Sequence, residues 1–278
     1  MTINYKDLVL EELNYNSYLQ LPQLLNLQHL RSNPQHPDEM FFIIIHQTAE
    51  LWFKEVLHET TKLVAGFREN MVSRALKAIK RIGAIMELQV AQIRLLSTLT
   101  PVEFAGFRDL LKPASGFQSA QFREVEFTYG LRNPFFLNFF EKLPDIKKRL
   151  ENIQNQPSVY DEALRCLKRA GYAVPEAVLG RDVTESPQCN EDLAALFQKI
   201  YEDPKQEFHW VLLFEAMVDL DEKLMLWRKT HAVMVERTIG RKMGTGGSTG
   251  WQFLRTREDL KCFPELWDVR NSIGAGAY

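Results

Sequence analysis

LLFEAMVDLDEKLMLWRKTHAVMVERTIG, residues 212–240, decides the fold class. The stretch has no proline, no glycine before Gly240, and apolar residues at helical spacing. With its flanks it predicts one helix over 204–239, ended by Gly240. At the usual rise such a helix is about 54 Å long, more than a small domain is wide. It has to pack along its whole length, against another long helix or another subunit. HPDEMFFIIIHQTAELWFKEVLHETTKLVAG (36–66) predicts a partner, with Asp38 and Glu39 where a first turn favours acids. Residues 71–99 form a second amphipathic run. Pro101 ends it, and Thr100-Pro101-Val102-Glu103 makes a capping box for a short helix. Residues 117–129, 134–142, 144–154, 158–170 and 191–202 also read as helical, with Gly130 and Gly171 as stops. Residues 172–188 hold two prolines and no period. No strand ladder, repeat or linker is visible. The expectation is a single all-α domain over 1–278 with bundle-like packing of long helices.

Bulk properties bound the function. The chain has 278 residues, 45% of them apolar, and a net charge of −2, so no basic field suits it to nucleic acid. Cys166, Cys189 and Cys262 are far apart with no CxxC, which excludes a disulfide framework and a cysteine zinc site and fits a reducing compartment. The first residues lack the apolar core of a signal peptide, and no apolar run reaches 18 residues. No membrane partner is expected, and the cytoplasm is the expected location. Eighteen phenylalanines, five tryptophans and eight tyrosines suit either a core or a flat apolar ligand.

Three features bear on chemistry. Gly244-Thr245-Gly246-Gly247-Ser248-Thr249-Gly250 lacks the Gly-Lys-Ser/Thr end of a phosphate loop, and it follows a helix where a dinucleotide fingerprint follows a strand. It reads either as a flexible connection or as a mobile loop whose hydroxyls close over a ligand. Of the six histidines, none pairs at zinc spacing. His46 lies on an apolar stripe with Phe42, Ala49 and Phe53. It is either a hydrogen-bonded core residue or a neutral imidazole facing a dry cavity, where burial lowers its pKa. His231 lies late in the longest helix, with Leu224, Trp227, Val235 and Thr238 on or near its stripe. An imidazole on a rigid helix is a suitable axial ligand for haem iron, although any buried histidine of an all-α protein offers as much. Arg108 follows an aromatic pair on a short helix. It suits a carboxylate clamp or a surface salt bridge.

Six segments taken together carry a resemblance. They are YNSYLQLPQLL (15–25), HPDEMFFIIIHQTAELWFK (36–54), LTPVEFAGFRDLLKPASGFQSAQFR (99–123), SVYDEAL (158–164), LWRKTHAVMVERTIGRKMGTGGSTG (226–250) and FPELWDVR (263–270). In this order they resemble the tryptophan 2,3-dioxygenase family, most thinly over 172–210. The resemblance implies a homotetramer, a dimer of dimers, with one haem b per subunit held between helices. It also implies cleavage of the indole C2–C3 bond of L-tryptophan by O₂, giving N-formyl-L-kynurenine. It casts His231 as the axial iron ligand, with Trp227 beside the haem and Ser115 near a propionate. His46 takes the indole N–H as the catalytic histidine, and Phe42 packs on the indole. Arg108 and Thr245 take the amino-acid end, with Phe104 beside them. Tyr15, Tyr18 and Leu19, in the segment 1–30, complete the neighbouring subunit's pocket, and 241–250 is a mobile loop.

Phe104 stands where many bacterial members carry Tyr. Lys229-Thr230 precede His231 where an aromatic and a basic residue are usual, and Pro22 replaces a common Asp. These departures keep a second reading open, a related haem enzyme that inserts one oxygen atom into a substituted tryptophan or indole.

Overall fold

The computed structural model describes residues 13–245 and 250–274. Among them there is no strand, and the all-α expectation holds. Two single-turn helices, α1 (Tyr15–Tyr18) and α2 (Leu21–Leu24), precede α3 (Glu39–Arg68), α4 (Val72–Leu96) and the short α5 (Pro101–Arg108). Then come α6 (Ala120–Thr128), α7 (Pro144–Gln154), α8 (Val159–Arg169), the single turn α9 (Glu176–Leu179) and α10 (Glu191–Glu202). The longest helix is α11 (Phe208–Ile239), followed by α12 (Trp251–Arg255) and α13 (Pro264–Asp268). No helix among the described residues is long and apolar enough to cross a membrane.

The long helix has the partners its length demands. α4 packs along both α3 and α11 and lies between them. α3 turns Phe53, Val56, Thr60, Leu63 and Phe67 inward, the three-and-four spacing of a helix face. α4 buries Ala75, Ala78, Ile79, Ile82, Met86, Val90 and Ile93, a wide stripe because it faces two neighbours. Side chains also tie the pair: Gln89 Nε2 donates to the Ala49 carbonyl at 3.0 Å, and Gln92 Nε2 donates to Thr48 Oγ1 at 2.7 Å. Asp221 fixes the chain after α12 to α11. Its buried carboxylate accepts the Cys262 N–H at 2.9 Å and Trp267 Nε1–H at 3.0 Å.

Boundaries follow the predicted punctuation where local chemistry sets them. The capping box of α5 is present, with Glu103 Oε2 accepting the Thr100 N–H at 2.7 Å and Thr100 Oγ1 accepting the Glu103 N–H at 3.3 Å. Gly130 and Gly171 take φ of +89° and +98° at their stops, and Gly240 ends α11. Three predicted spans differ. α11 starts at Phe208 rather than 204, after a turn closed by the Glu207 N–H on the Asp203 carbonyl. The 117–129 span is broken at Ser119, whose hydroxyl accepts the Phe122 N–H at 3.2 Å and starts α6. The stretch Pro134–Phe140 is a 3₁₀ helix, not an α-helix. Its three-residue repeat puts Phe136 and Phe139 on one side, with ring centroids 6.4 Å apart, against Phe117 and Phe253.

Gly66 lets α3 come close to the start of α4. A Cβ there would lie 2.9 Å from the Ala75 backbone nitrogen and 3.3 Å from its Cα. Gly-to-Ala in a helix ordinarily stabilises by about 1 kcal/mol. Here the sign should reverse: Gly66→Ala forces backbone apart and should cost roughly 1–3 kcal/mol in urea unfolding. A gain in stability would show that the two helices are not in contact there.

Candidate active site

Where α3, α4, α5, α6 and α11 leave a gap, the protein forms a half-open cavity of about 560 Å³, within the range of small-molecule sites. Its wall contains Phe42, His46, Phe104, Arg108, Ser115, Trp227, His231 and Thr245. Eight of the eleven residues singled out from sequence therefore meet in one place. Tyr15, Tyr18 and Leu19 do not line it. They lie outside on α1 and the residue after it, a segment that buries none of its side chains within this chain.

His46 projects from the first half of α3 into this space. Its Nδ1 is 2.7 Å from the Phe42 carbonyl one turn earlier. A carbonyl can only accept, so the proton sits on Nδ1 and Nε2 keeps its lone pair. His46 lines the cavity, through which part of its surface is reached, and protein surrounds the rest of the ring. Burial therefore holds its pKa below the ordinary value, against smaller opposing effects of the Phe42 carbonyl and Glu50. At neutral pH the ring is an uncharged hydrogen-bond acceptor. Phe42 packs on it at 4.2 Å between centroids, and Phe104 stacks on Phe42 at 5.4 Å.

His231 comes from α11. Its ring lies over Trp227 at 5.3 Å and 24°, and Trp227 leans in turn on Phe122 and Phe53. Neither ring nitrogen bonds to another described residue. Burial pushes its pKa down to about 4, helped by the positive charges that His46 and Arg123 can carry. The imidazole is thus neutral, rigidly backed and free to donate a lone pair.

Two sets of charges line the wall. At one end Arg108, the last residue of α5, donates through Nη2 to the Met243 carbonyl, and its Nε is buried without a partner. Thr245 Oγ1 donates to the Ala114 carbonyl at 2.5 Å, so the strand of chain after α11 is tied across α5 and the 111–119 stretch. Gly246–Thr249 lie outside the described residues. Elsewhere on the wall Glu126 is paired with Arg123 and with Arg257 at 3.4 Å, and Arg228 lies in the field of Arg123 and of the buried Asp221 carboxylate. Burial lowers the Arg123 pKa to about 10, still protonated at neutral pH, and its guanidinium lies 4.0 Å from the Phe136 ring centroid.

This donor set fits a haem. An unpartnered imidazole faces a slot walled by aromatic rings, and three guanidinium groups against two buried carboxylates, Glu126 and Asp221, leave an excess of positive charge that propionates would neutralise. Among the described residues no three His, Cys, Asp or Glu side chains converge as a metal cluster; an iron porphyrin needs only one. Sequence reasoning missed Glu126, Arg228 and Arg257 and did not give Arg123 a role. They come from α6, α11 and the chain after α12, and no local pattern joins them. Glu50 was missed too. Its carboxylate accepts Ser119 Oγ–H at 2.5 Å and Gln121 Nε2–H at 2.8 Å, and so pins the start of α6 to α3.

Comparison with known proteins agrees with this geometry. The family model described as tryptophan 2,3-dioxygenase matches residues 5–152 and 193–273. The interval it leaves out holds α8 with SVYDEAL and the irregular 172–188, and none of the cavity wall. A protein named tryptophan 2,3-dioxygenase from Arthrobacter sp. (strain FB24) is 45% identical, covering 97% of this chain and 96% of its own. The protein of that name from Rhodococcus jostii (strain RHA1) is 47% identical, with 95% and 93% covered. That from Herpetosiphon aurantiacus is 43% identical, with 95% and 99% covered. The chain belongs to the tryptophan 2,3-dioxygenase family.

Proposed function

We propose that this chain is a haem-dependent dioxygenase that opens the indole C2–C3 bond of L-tryptophan with O₂ to give N-formyl-L-kynurenine. The observation that carries this reading is the meeting of a partner-free imidazole (His231), a neutral acceptor imidazole (His46) and a cavity-facing guanidinium (Arg108) around one space. The names of the relatives support the substrate.

In this reading His231 holds the iron of one haem b per subunit. Trp227 and Phe122 would wall the haem, and Ser115 and the Arg123–Arg228–Arg257 group would answer its propionates. The haem, when bound, supplies the O₂ activation that opens the indole ring. The protein's work is orientation. Tryptophan's carboxylate takes the Met243 carbonyl's place on Arg108, an ion pair worth far more in a dry site than at the surface. Thr245 binds the same end of the amino acid. Phe42 and Phe104 cover the indole, and His46 Nε2 accepts its N–H, so that C2–C3 is held in one place. Met243 and Thr245 lie over Arg108 and Ala114, where they shield this end of the site from water; the rest of the glycine-rich segment, Gly246–Thr249, lies outside the described residues. Tyr15, Tyr18 and Leu19, exposed in this chain, cover the cavity of a neighbouring copy in a homotetramer built as a dimer of dimers.

Turnover of L-tryptophan under reducing conditions with ¹⁸O₂ should give a product carrying two labelled atoms. One labelled atom would replace this reading with the single-oxygen insertion that Phe104 keeps open. The two histidines should separate. His46→Ala removes one hydrogen bond and should slow turnover about ten-fold, with the haem absorption intact. His231→Ala should strip or loosen the haem, and a normal Soret band with full turnover in that variant would overturn the ligand assignment. The pH profile follows from burial. Because the folded pKa of His231 lies near 4, below the ordinary 6.5, protons compete for its lone pair only in acid. The affinity of the apoprotein for haem should stay level from pH 8 to about 5 and fall only below about 4; a fall that begins near 6.5 would mean a solvated ring.

A further inference from the structure

His36 is not on the cavity wall, yet it sits behind the helix that carries Arg108. A Cβ at Gly106 would lie 2.6 Å from His36 Nε2 and 2.9 Å from its Cδ2, so the imidazole edge presses directly on the α5 backbone. The same ring packs on Phe107 at 5.1 Å. Phe107 is 1% exposed and meets Phe104 edge-on at 5.5 Å.

His36 is itself held from behind. Its N–H donates to Ser32 Oγ at 2.7 Å, and its Nδ1 accepts the Asp38 N–H at 3.3 Å. Ser32 donates through both N and Oγ to Glu39, as does the Arg31 N–H at 2.6 Å. Glu39 is 1% exposed and opens α3, and these hydrogen bonds keep its carboxyl below the ordinary pKa although burial opposes them. A continuous line of contacts therefore runs from the first turn of α3, through Ser32 and His36, to Gly106. α5 is eight residues long: Phe104 and Phe107 anchor it on Phe42, Ile45 and Met234, and His36 bears on its backbone at Gly106.

We propose that His36 is a positioning residue: by bearing on Gly106 it sets how deeply α5 sits, and so the reach of Arg108 and the placement of Phe104. It thereby governs preference for an amino acid over the corresponding amine. This rests on Arg108 being the carboxylate's partner, as proposed above.

The test uses the holoenzyme and three variants, Gly106→Ala, His36→Ala and the double variant, with L-tryptophan and with tryptamine, which lacks the carboxylate. A misplacement of about 1 Å can cost a hundred-fold. Gly106→Ala should therefore raise KM for L-tryptophan roughly ten-fold or more, with kcat within about three-fold and tryptamine binding within about two-fold. In the double variant the added methyl takes the space the imidazole leaves, and most of the loss should be recovered. Wild-type behaviour of Gly106→Ala, or no recovery in the double variant, would overturn the proposal. Hydrogen exchange of the 104–108 amides separates the two readings. It should speed up in Gly106→Ala and slow again in the double variant, even if the wild-type protein were to ignore tryptophan. In that case only the reading of the substrate would fall.

Discussion

Everything at the site depends on α4 filling the space between α3 and α11. At the turn joining α3 to α4, small residues let the backbones close up, as Gly66 and Ala75 do. At the other end of α4, larger side chains such as Gln92, Ile93 and Leu96 face the cavity instead. The long helices on either side each present one histidine there. Because close-packed helices transmit displacement with little compliance, the separation of His46 and His231 is set by the core and not by the loops around the site. That arrangement suits a reaction in which the protein mainly orients.

The cavity also differs electrically from the rest of the core. Buried charges are costly unless paired or hydrogen-bonded, and elsewhere they are satisfied in one of these ways: Glu59 with Lys62 and Arg81, Asp161 with Arg181, Glu39 and Asp221 by N–H donors. Around Glu126 the balance fails, and guanidinium groups outnumber carboxylates. Stability alone gives no reason to keep such an excess. It suits an anionic partner, and it adds to the burial that keeps His231 neutral, since a second positive charge beside Arg123 is unfavourable.

The fold was legible wherever its signal is local. The period of 212–240, the proline at 101 with its capping box, and the stops at Gly130 and Gly171 all depend on neighbours in sequence. The 3₁₀ stretch after Asn133 was not legible, because its choice of winding is made by aromatic contacts with Phe117 and Phe253. The stripe Phe42, His46, Ala49 and Phe53 was read correctly as one face, and all four line the cavity. Whether that face met core or void could not be read from it, since both look alike to a single helix. Arg108 had two readings, and its cavity-facing position with no carboxylate partner removes the surface salt bridge. The arginine group and the His36–Gly106 contact were invisible for one reason: each joins residues far apart in the chain, and neither leaves a mark in any single segment.

The bond between His46 Nδ1 and the Phe42 carbonyl has a consequence for how this position can vary. The group that dictates which nitrogen carries the proton is main chain, and every residue type at 42 offers the same oxygen. Substitution there can change what packs on the ring without changing what the ring accepts. Steric fit and proton placement are therefore decoupled at neighbouring positions of one helix, and the aromatic wall is free to diversify while the tautomer stays as it is.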